Sequence, residues 1–268
     1  MNDQASTARQ FLELHQGPAP LLIPNPWDPG SAKVLASLGF RALATTSGGF
    51  AASLGRLDGD VTRDEALAHG AAIVAATDLP VSADLENGFA DRPEDVAATV
   101  AGAIAVGLAG CSIEDYGGGE LYAPGLAAER IAAAAEAAHG GPVPLVLTAR
   151  AENHIRGNPD LADTIARLQS YQEAGADVLY APGLLDLADL RSLIGEVDRP
   201  VNVLALPGAP TVAELAAVGV RRVSVGGAFS LASFGALATA GRELLEHGTY
   251  GFWDEAAVGR SVVPAAFR

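Results

Sequence analysis

Eight short apolar runs recur along this 268-residue chain, and a stretch with helical punctuation follows nearly every one. The runs are Pro20 to Ile23, Ala42 to Thr46, Val81 to Asp84, Cys111 to Glu114, Leu145 to Ala149, Val178 to Ala181, Val201 to Ala205 and Val223 to Val225. Their apolar residues are consecutive rather than alternating, so both faces of each strand are buried. The stretches between carry helix signals. Thr62-Arg63-Asp64-Glu65 and Thr211-Val212-Ala213-Glu214 have the capping-box spacing. Asp91-Arg92-Pro93-Glu94 offers Asp91 as an N-cap ahead of a first-turn proline. Gly39, Gly107, Gly175 and Gly219 each stand where a helix must end before the next strand. Eight such units over this length predict a (β/α)8 barrel of parallel strands. An open doubly wound sheet is the rival, but no Gly-x-Gly-x-x-Gly turn follows the first run. No low-complexity linker or charge block divides the chain, so residues 1–268 read as one domain. Its helical extension, about 229–268, is longer than barrel closure needs and suits packing on a neighbouring subunit.

Charge narrows the partners. The chain carries 17 basic and 32 acidic residues, a net −15. A nucleic acid or an anionic membrane would require a basic face, so neither is expected. A small anionic substrate is compatible, because a metal ion or an arginine reverses the sign locally. Cys111 is the one cysteine, which excludes an intrachain disulfide and fits a reducing compartment. The first dozen residues read as neither a signal peptide nor a lipidation site, and no apolar run approaches a bilayer span. A cytoplasmic protein is the expectation.

Barrel enzymes place their chemistry at the C-terminal strand ends. There the third run delivers Asp84, Glu86 and Asn87, and the fourth delivers Glu114, Asp115 and Tyr116. Carboxylates gathered on one spot repel unless a positive group joins them. Asp84, Glu86 and Glu114, with no His or Cys beside them, suit Mg²⁺ or Mn²⁺. Alternatively they cap helices or pair with Arg63 or Arg92. Ser47-Gly48-Gly49 is either a plain turn or a backbone cradle for a carboxylate or phosphate. Arg150 ends the fifth run, where its guanidinium neutralises a substrate carboxylate or a developing enolate, or serves in a structural ion pair. Asn202 is the polar residue of the seventh run. Cys111 reads as a core thiol; His69, His139 and His247 read as surface residues. His154 follows Arg150 within reach of the site, and His15 carries no signal.

The segments "PNPWDPGSA", "TTSGGFAASLG", "ADLENGF", "GCSIEDY", "LTARAENHIRG", "YQEAGADVLYAPG" and "VNVLALPGAPTVAELAAVGVRRVSVGGA" resemble the isocitrate lyase/phosphoenolpyruvate mutase superfamily over nearly the whole chain. The resemblance implies a (β/α)8 barrel whose last helix is exchanged between subunits of a homodimer or homotetramer. It implies Mg²⁺ held mainly through water by Asp58, Asp84, Glu86 and Glu114. It also implies a 2-oxo acid on Ser47, Gly48 and Gly49, with Trp27 on its face and Arg150 on its carboxylate or oxyanion. Two departures matter. The isocitrate and methylisocitrate lyases carry a Lys-Lys/Arg-Cys-Gly-His loop after the fourth strand, whereas this chain reads Gly117-Gly118-Gly119-Glu120-Leu121-Tyr122. The phosphonate enzymes' Lys and Asn are missing there too. Where the lyases have a Glu after the sixth strand, this chain has Ala181-Pro182-Gly183.

The leading expectation is a Mg²⁺-dependent carbon–carbon lyase acting on a small oxaloacetate-like or 2-oxoglutarate-like acid through an enolate, and not either named lyase. Tyr116, Glu120 and Tyr122 are the loop candidates for its acid or base. The alternatives are a phosphonopyruvate-type C–P hydrolase or mutase, and a barrel that binds a 2-oxo acid without chemistry.

Overall fold

A computed structural model describes residues 3–268. Helix α1 (Gln4–Leu14) precedes the barrel. The strands are β1 (Leu21–Ile23), β2 (Leu43–Ala44), β3 (Val81–Asp84), β4 (Gly110–Glu114), a hairpin of β5 (Tyr116–Gly117) and β6 (Glu120–Leu121), then β7 (Val146–Arg150), β8 (Val178–Tyr180), β9 (Val201–Leu204) and β10 (Arg222–Ser224). The intervening helices are α2 (Pro29–Ser37), α3 (Ser47–Ser53), α4 (Arg63–Ala75), α5 (Pro93–Ala105), α6 (Pro124–His139), α7 (Leu161–Glu173), α8 (Leu187–Gly195) and α9 (Val212–Val218). All strands but the hairpin pair are parallel, in the order β1-β10-β9-β8-β7-β4-β3-β2. The two edges meet: the Ala44 N–H donates to Pro24 O at 3.1 Å and Asn25 Nδ2 to Thr45 O at 3.0 Å. The eight-unit pattern in the sequence is therefore a (β/α)8 barrel.

Local signals explain most element ends. Thr62 and Thr211 both complete capping boxes with the glutamate three residues on. Asp91 does not cap α5; Arg92 holds that position without a side-chain bond, and Asp91 instead accepts from the Tyr122 hydroxyl. The four helix-ending glycines all have positive φ, the conformation a Cβ disfavours.

The main core lies between strands and helices, with Cys111 inside it as expected. A second core closes the N-terminal end of the barrel, where Phe11 and Leu14 of α1 pack on Leu21, Ile23, Ala109, Val146 and Val178. The opposite end stays open and carries the site. After β10, α10 (Ala228–His247) and α11 (Trp253–Ala266) form the extension. Ser230 is the one buried residue on α10 and α11 has none. Phe267 reaches back to α2, with its ring 5.9 Å from Lys33 Nζ. No helix among the described residues is long and apolar enough to cross a membrane.

Candidate active site

A cavity of about 530 Å³ opens at the C-terminal strand ends. Of the site residues that the sequence nominates, Ser47, Gly48, Gly49, Asp58, Asp84, Arg150 and Asn202 line it, whereas Trp27, Glu86 and Glu114 do not. Ser47 to Gly49 are not a bare turn but the first turn of α3, capped by Thr46, whose Oγ1 accepts from the Gly49 N–H. Close approach requires glycine at position 49 and leaves little room at position 48. A Cβ at Gly49 would lie 2.5 Å from Thr46 Cγ2, and one at Gly48 would lie 3.3 Å from the Asp58 carboxylate. Trp27 stands beside Gly49, its Cβ at 3.3 Å from where a Gly49 Cβ would be.

Arg150 is the centre of the arrangement. Its guanidinium lies 2.9 Å from Asp84 Oδ1, 2.9 Å from Glu114 Oε2 and 2.9 Å from Glu152 Oε1. The positive group that the gathered acids demand is thus supplied in the first place by the chain itself. Ser47 Oγ donates to the other Asp84 oxygen at 3.0 Å, which ties the α3 turn to the cluster. Asp115 locks the scaffold beneath: it accepts from the Glu152 N–H at 2.8 Å, from Arg167 Nη1 at 3.0 Å and from Tyr171 Oη at 2.5 Å. Neither Arg63 nor Arg92 pairs with these acids; they bind Asp64 and Glu94/Asp95 at the surface.

Asp84 and Glu86 do not continue one extended strand. β3 ends at Asp84, and Glu86 sits at φ +49° in a turn closed by the Gly88 N–H on Leu85 O. The Glu86 carboxylate has no hydrogen-bond or ion-pair partner among the described residues, and burial, then Asp84 and Asp58, push its pKa up to about 7. Burial also pushes the Glu114 carboxyl up, against the pull of Arg150. Five carboxylates (Asp58, Asp84, Glu86, Glu114 and Glu152) therefore face two guanidiniums, Arg150 and Arg156, and negative charge remains in excess. No three acids converge to enclose a bare ion among the described residues. An all-oxygen set with an unpartnered carboxylate fits a hydrated divalent cation, held through water by Asp58, Asp84 and Glu86.

The loop candidates lie elsewhere. Tyr122 Oη donates to Asp91 Oδ1 at 2.5 Å and accepts from Asn87 Nδ2 at 2.9 Å. Glu120 is exposed at the hairpin turn, and neither it, Tyr116 nor Tyr122 borders the cavity. Tyr116 instead stacks under Arg156, whose guanidinium is 3.8 Å from the ring centroid. Among the histidines, His69 is not at the surface: its ring stacks on Phe50 at 3.9 Å and Nε2 bonds Trp27 O. His139 is exposed, as expected, and pairs with Asp177, and His154 does not border the cavity.

Three cavity residues carried no assignment from the sequence. Arg156 lies 3.6 Å from Glu114 and 3.4 Å from Glu152. Glu152 is fully buried beside Arg150. Arg222 borders the cavity from β10. Its signal was available: a cation within the apolar run Val220 to Val225, two residues before Ser224 and so on the same strand face.

The arginine–carboxylate cluster of this parallel (β/α)8 barrel lies at the C-terminal strand ends, where barrel enzymes place their active sites. The phosphoenolpyruvate phosphomutase family profile matches residues 11–245, and the chain belongs to that family, within the isocitrate lyase/phosphoenolpyruvate mutase superfamily. An uncharacterized Mycobacterium tuberculosis protein is 38% identical over 218 residues, 81% of each chain. Oxaloacetate decarboxylase 1 of Pseudomonas putida is 30% identical over 211 residues, 74% of this chain and 70% of its own. A crystal structure of a Burkholderia cenocepacia protein, described as a lyase or mutase without a named substrate, superposes with a TM-score of 0.93 at 50% identity, covering 97% of this chain and 95% of its own.

Proposed function

We propose that this protein is a divalent-metal-dependent lyase that cleaves the carbon–carbon bond next to the carbonyl of a small 2-oxo dicarboxylate. The observation that carries the reading is Arg150, partly buried at the cavity mouth and held by Asp84, Glu114 and Glu152. Nε donates to Glu152 and Nη1 to Asp84, while Nη2 lies in ion-pair contact with Glu114 and Glu152. A fixed cation that borders the cavity stabilises negative charge where it develops, without reorganising during the reaction. The α3 turn orients the 2-oxo acid end through the Gly48 N–H, because Asp84 takes the Ser47 N–H and Thr46 takes that of Gly49. Asp84 fixes both partners at once, through Ser47 on one oxygen and Arg150 on the other. When bound at Asp58, Asp84 and Glu86, a divalent ion supplies Lewis-acid polarisation of the 2-oxo group. The similarity to an oxaloacetate decarboxylase supports a C–C cleavage.

The test is product analysis with oxaloacetate and alkyl-substituted malates in Mg²⁺ or Mn²⁺. Pyruvate or its homologue is expected. No turnover across the panel overturns the reading, and phosphate release from phosphonopyruvate would move the assignment to C–P chemistry.

The extension points to self-association. Leu237, Leu245, Tyr250, Trp253 and Val258 on α10, α11 and their connection are all exposed. Apolar area on this scale calls for a partner, and a second copy of the chain is the proposed one. Sedimentation should give a dimer or tetramer; a monomer at micromolar concentration would refute it.

A further inference from the structure

Arg222 is the second guanidinium inside the barrel, and the chemistry above does not use it. It is 5% exposed and borders the cavity. Its partners are all neutral. Nε donates to Asn202 Oδ1 at 2.9 Å, and Nη1 donates to Thr148 Oγ1 at 3.1 Å. Nη1 also approaches His15 Nε2 at 3.4 Å. His15 Nδ1 lies 2.9 Å from Phe11 O, so Nδ1 carries the proton and Nε2 presents a lone pair to the cation. No carboxylate pairs with Arg222 among the described residues, and both N–H groups of Nη2 lack a partner there. A buried charge without a counter-charge is costly, and hydrophobic replacement of such groups is often neutral or stabilising.

The surroundings are those of an anion receptor. On β3, β4 and β7 the inward residue two positions before Asp84, Glu114 and Arg150 is a hydroxyl: Ser82, Ser112 and Thr148. All but Thr148 border the cavity, and none of the three is acidic. Thr148 accepts from Arg222, so its own hydrogen is left to donate. The α1 plug seals the barrel below, so a ligand reaches Arg222 only from the open end. Burial, and then repulsion from Arg150, pull the Arg222 pKa down to about 10. An anion beside Arg222 supplies the counter-charge that the fold leaves out.

We propose that Arg222, with Ser82, Ser112 and Thr148, receives the distal carboxylate of the substrate, so that the site selects dicarboxylates whose far end enters the barrel. The inference rests on the 2-oxo acid reading of the mouth. A single guanidinium with hydroxyl donors matches one unit of negative charge and the planar carboxylate fork. A doubly charged phosphate would find one cation for two charges.

The experiment is calorimetric titration of the full-length protein, with Mg²⁺ present, using 2-oxoglutarate and 2-oxopentanoate. These probes share a five-carbon chain and a 2-oxo acid end, and differ only in the distal carboxylate. The wild type should prefer 2-oxoglutarate by about tenfold or more, the scale of a hydrogen bond to a charged group. In Arg222→Met that preference should vanish while 2-oxopentanoate affinity stays, and the ligand-free melting temperature should hold or rise. A wild type without preference, or an Arg222→Met variant that keeps it, overturns the proposal. Should Arg222→Met fail to fold, the proposal is read on Ser82→Ala/Ser112→Ala, where the preference must fall severalfold; an unchanged ratio overturns it. Binding is measured without turnover, so an inactive enzyme that still shows the Arg222-dependent preference sinks the lyase reading and leaves this one standing.

Discussion

Two arginines, Arg150 partly buried and Arg222 buried, share one barrel under opposite conditions. Arg150 lies 2.9 Å from each of three carboxylates, while Arg222 touches an amide, a hydroxyl and a neutral imidazole. One charge is more than matched by the fold and the other is not matched at all. Removing a partner from a matched cluster leaves bare buried charge behind; removing an unmatched charge leaves only neutral groups. The same substitution should therefore have opposite effects on stability at the two positions.

Arg150→Met is the most damaging change expected. It strands Asp84, Glu114 and Glu152 together, at a cost of about 3–5 kcal/mol in urea unfolding. It should also lower product formation by about a hundred- to a thousandfold, the range for losing a preorganised charge donor. Arg222→Met should lose no stability in the same assay. Equal destabilisation of the two variants would break the comparison.

Glu114→Gln separates structure from chemistry within the matched cluster. The amide keeps an acceptor beside Arg150, and the counter-charge it loses is offset by the burial cost that already pushes this carboxyl's pKa up, so stability should change by less than about 1 kcal/mol. Activity should still fall by about a hundredfold, because the carboxylate that positions Arg150 is gone. A variant with the wild-type rate would remove Glu114 from the machinery.

The contrast also marks what the sequence can reveal. The barrel was legible because its strands are apolar on both faces and its helices carry their own caps at Thr62 and Thr211. Asp84, Glu114 and Arg150 were legible because strand ends converge in such a fold, whatever the loops do. That Arg150, before any metal, is the cation among those acids was not legible, because it depends on side-chain reach across strands. His15 gave no signal, since only the seating of α1 against the barrel end places it beside Arg222. The loop readings at Tyr116, Glu120 and Tyr122 relied on position after β4, and the β5–β6 hairpin turns those side chains to other partners.

The neutral side of the comparison predicts a pH dependence. Burial, then Arg222, holds the His15 pKa down at about 3, against 6.5 as the ordinary value. The unfolded chain then binds a proton below pH 6.5 that the folded chain refuses, so stability is lost as pH falls from 6.5 toward 3. At pH 5 this amounts to about 2 kcal/mol. His15→Gln keeps an acceptor for Arg222 but does not titrate. Its melting temperature should fall less than that of the wild type between pH 7 and pH 5. Parallel curves would show that His15 is not the neutral partner of Arg222.

The smallest effects belong to the β5–β6 hairpin, which supplies no side chain to either arginine. Tyr122→Phe removes the hydroxyl that links Asp91 and Asn87, two hydrogen bonds at the edge of the site. A loss of about 1 kcal/mol in stability follows, with a modest drop in rate through Asn87 and the Glu86 turn. Glu120 is exposed and its side chain forms no hydrogen bond or ion pair among the described residues, so Glu120→Gln should leave both stability and turnover within about twofold of wild type. A large loss of turnover in Glu120→Gln, with folding intact, would mean that the hairpin closes over the cavity during catalysis. The acid or base would then come from the loop, and the contrast between the two arginines would describe only the open form of the site.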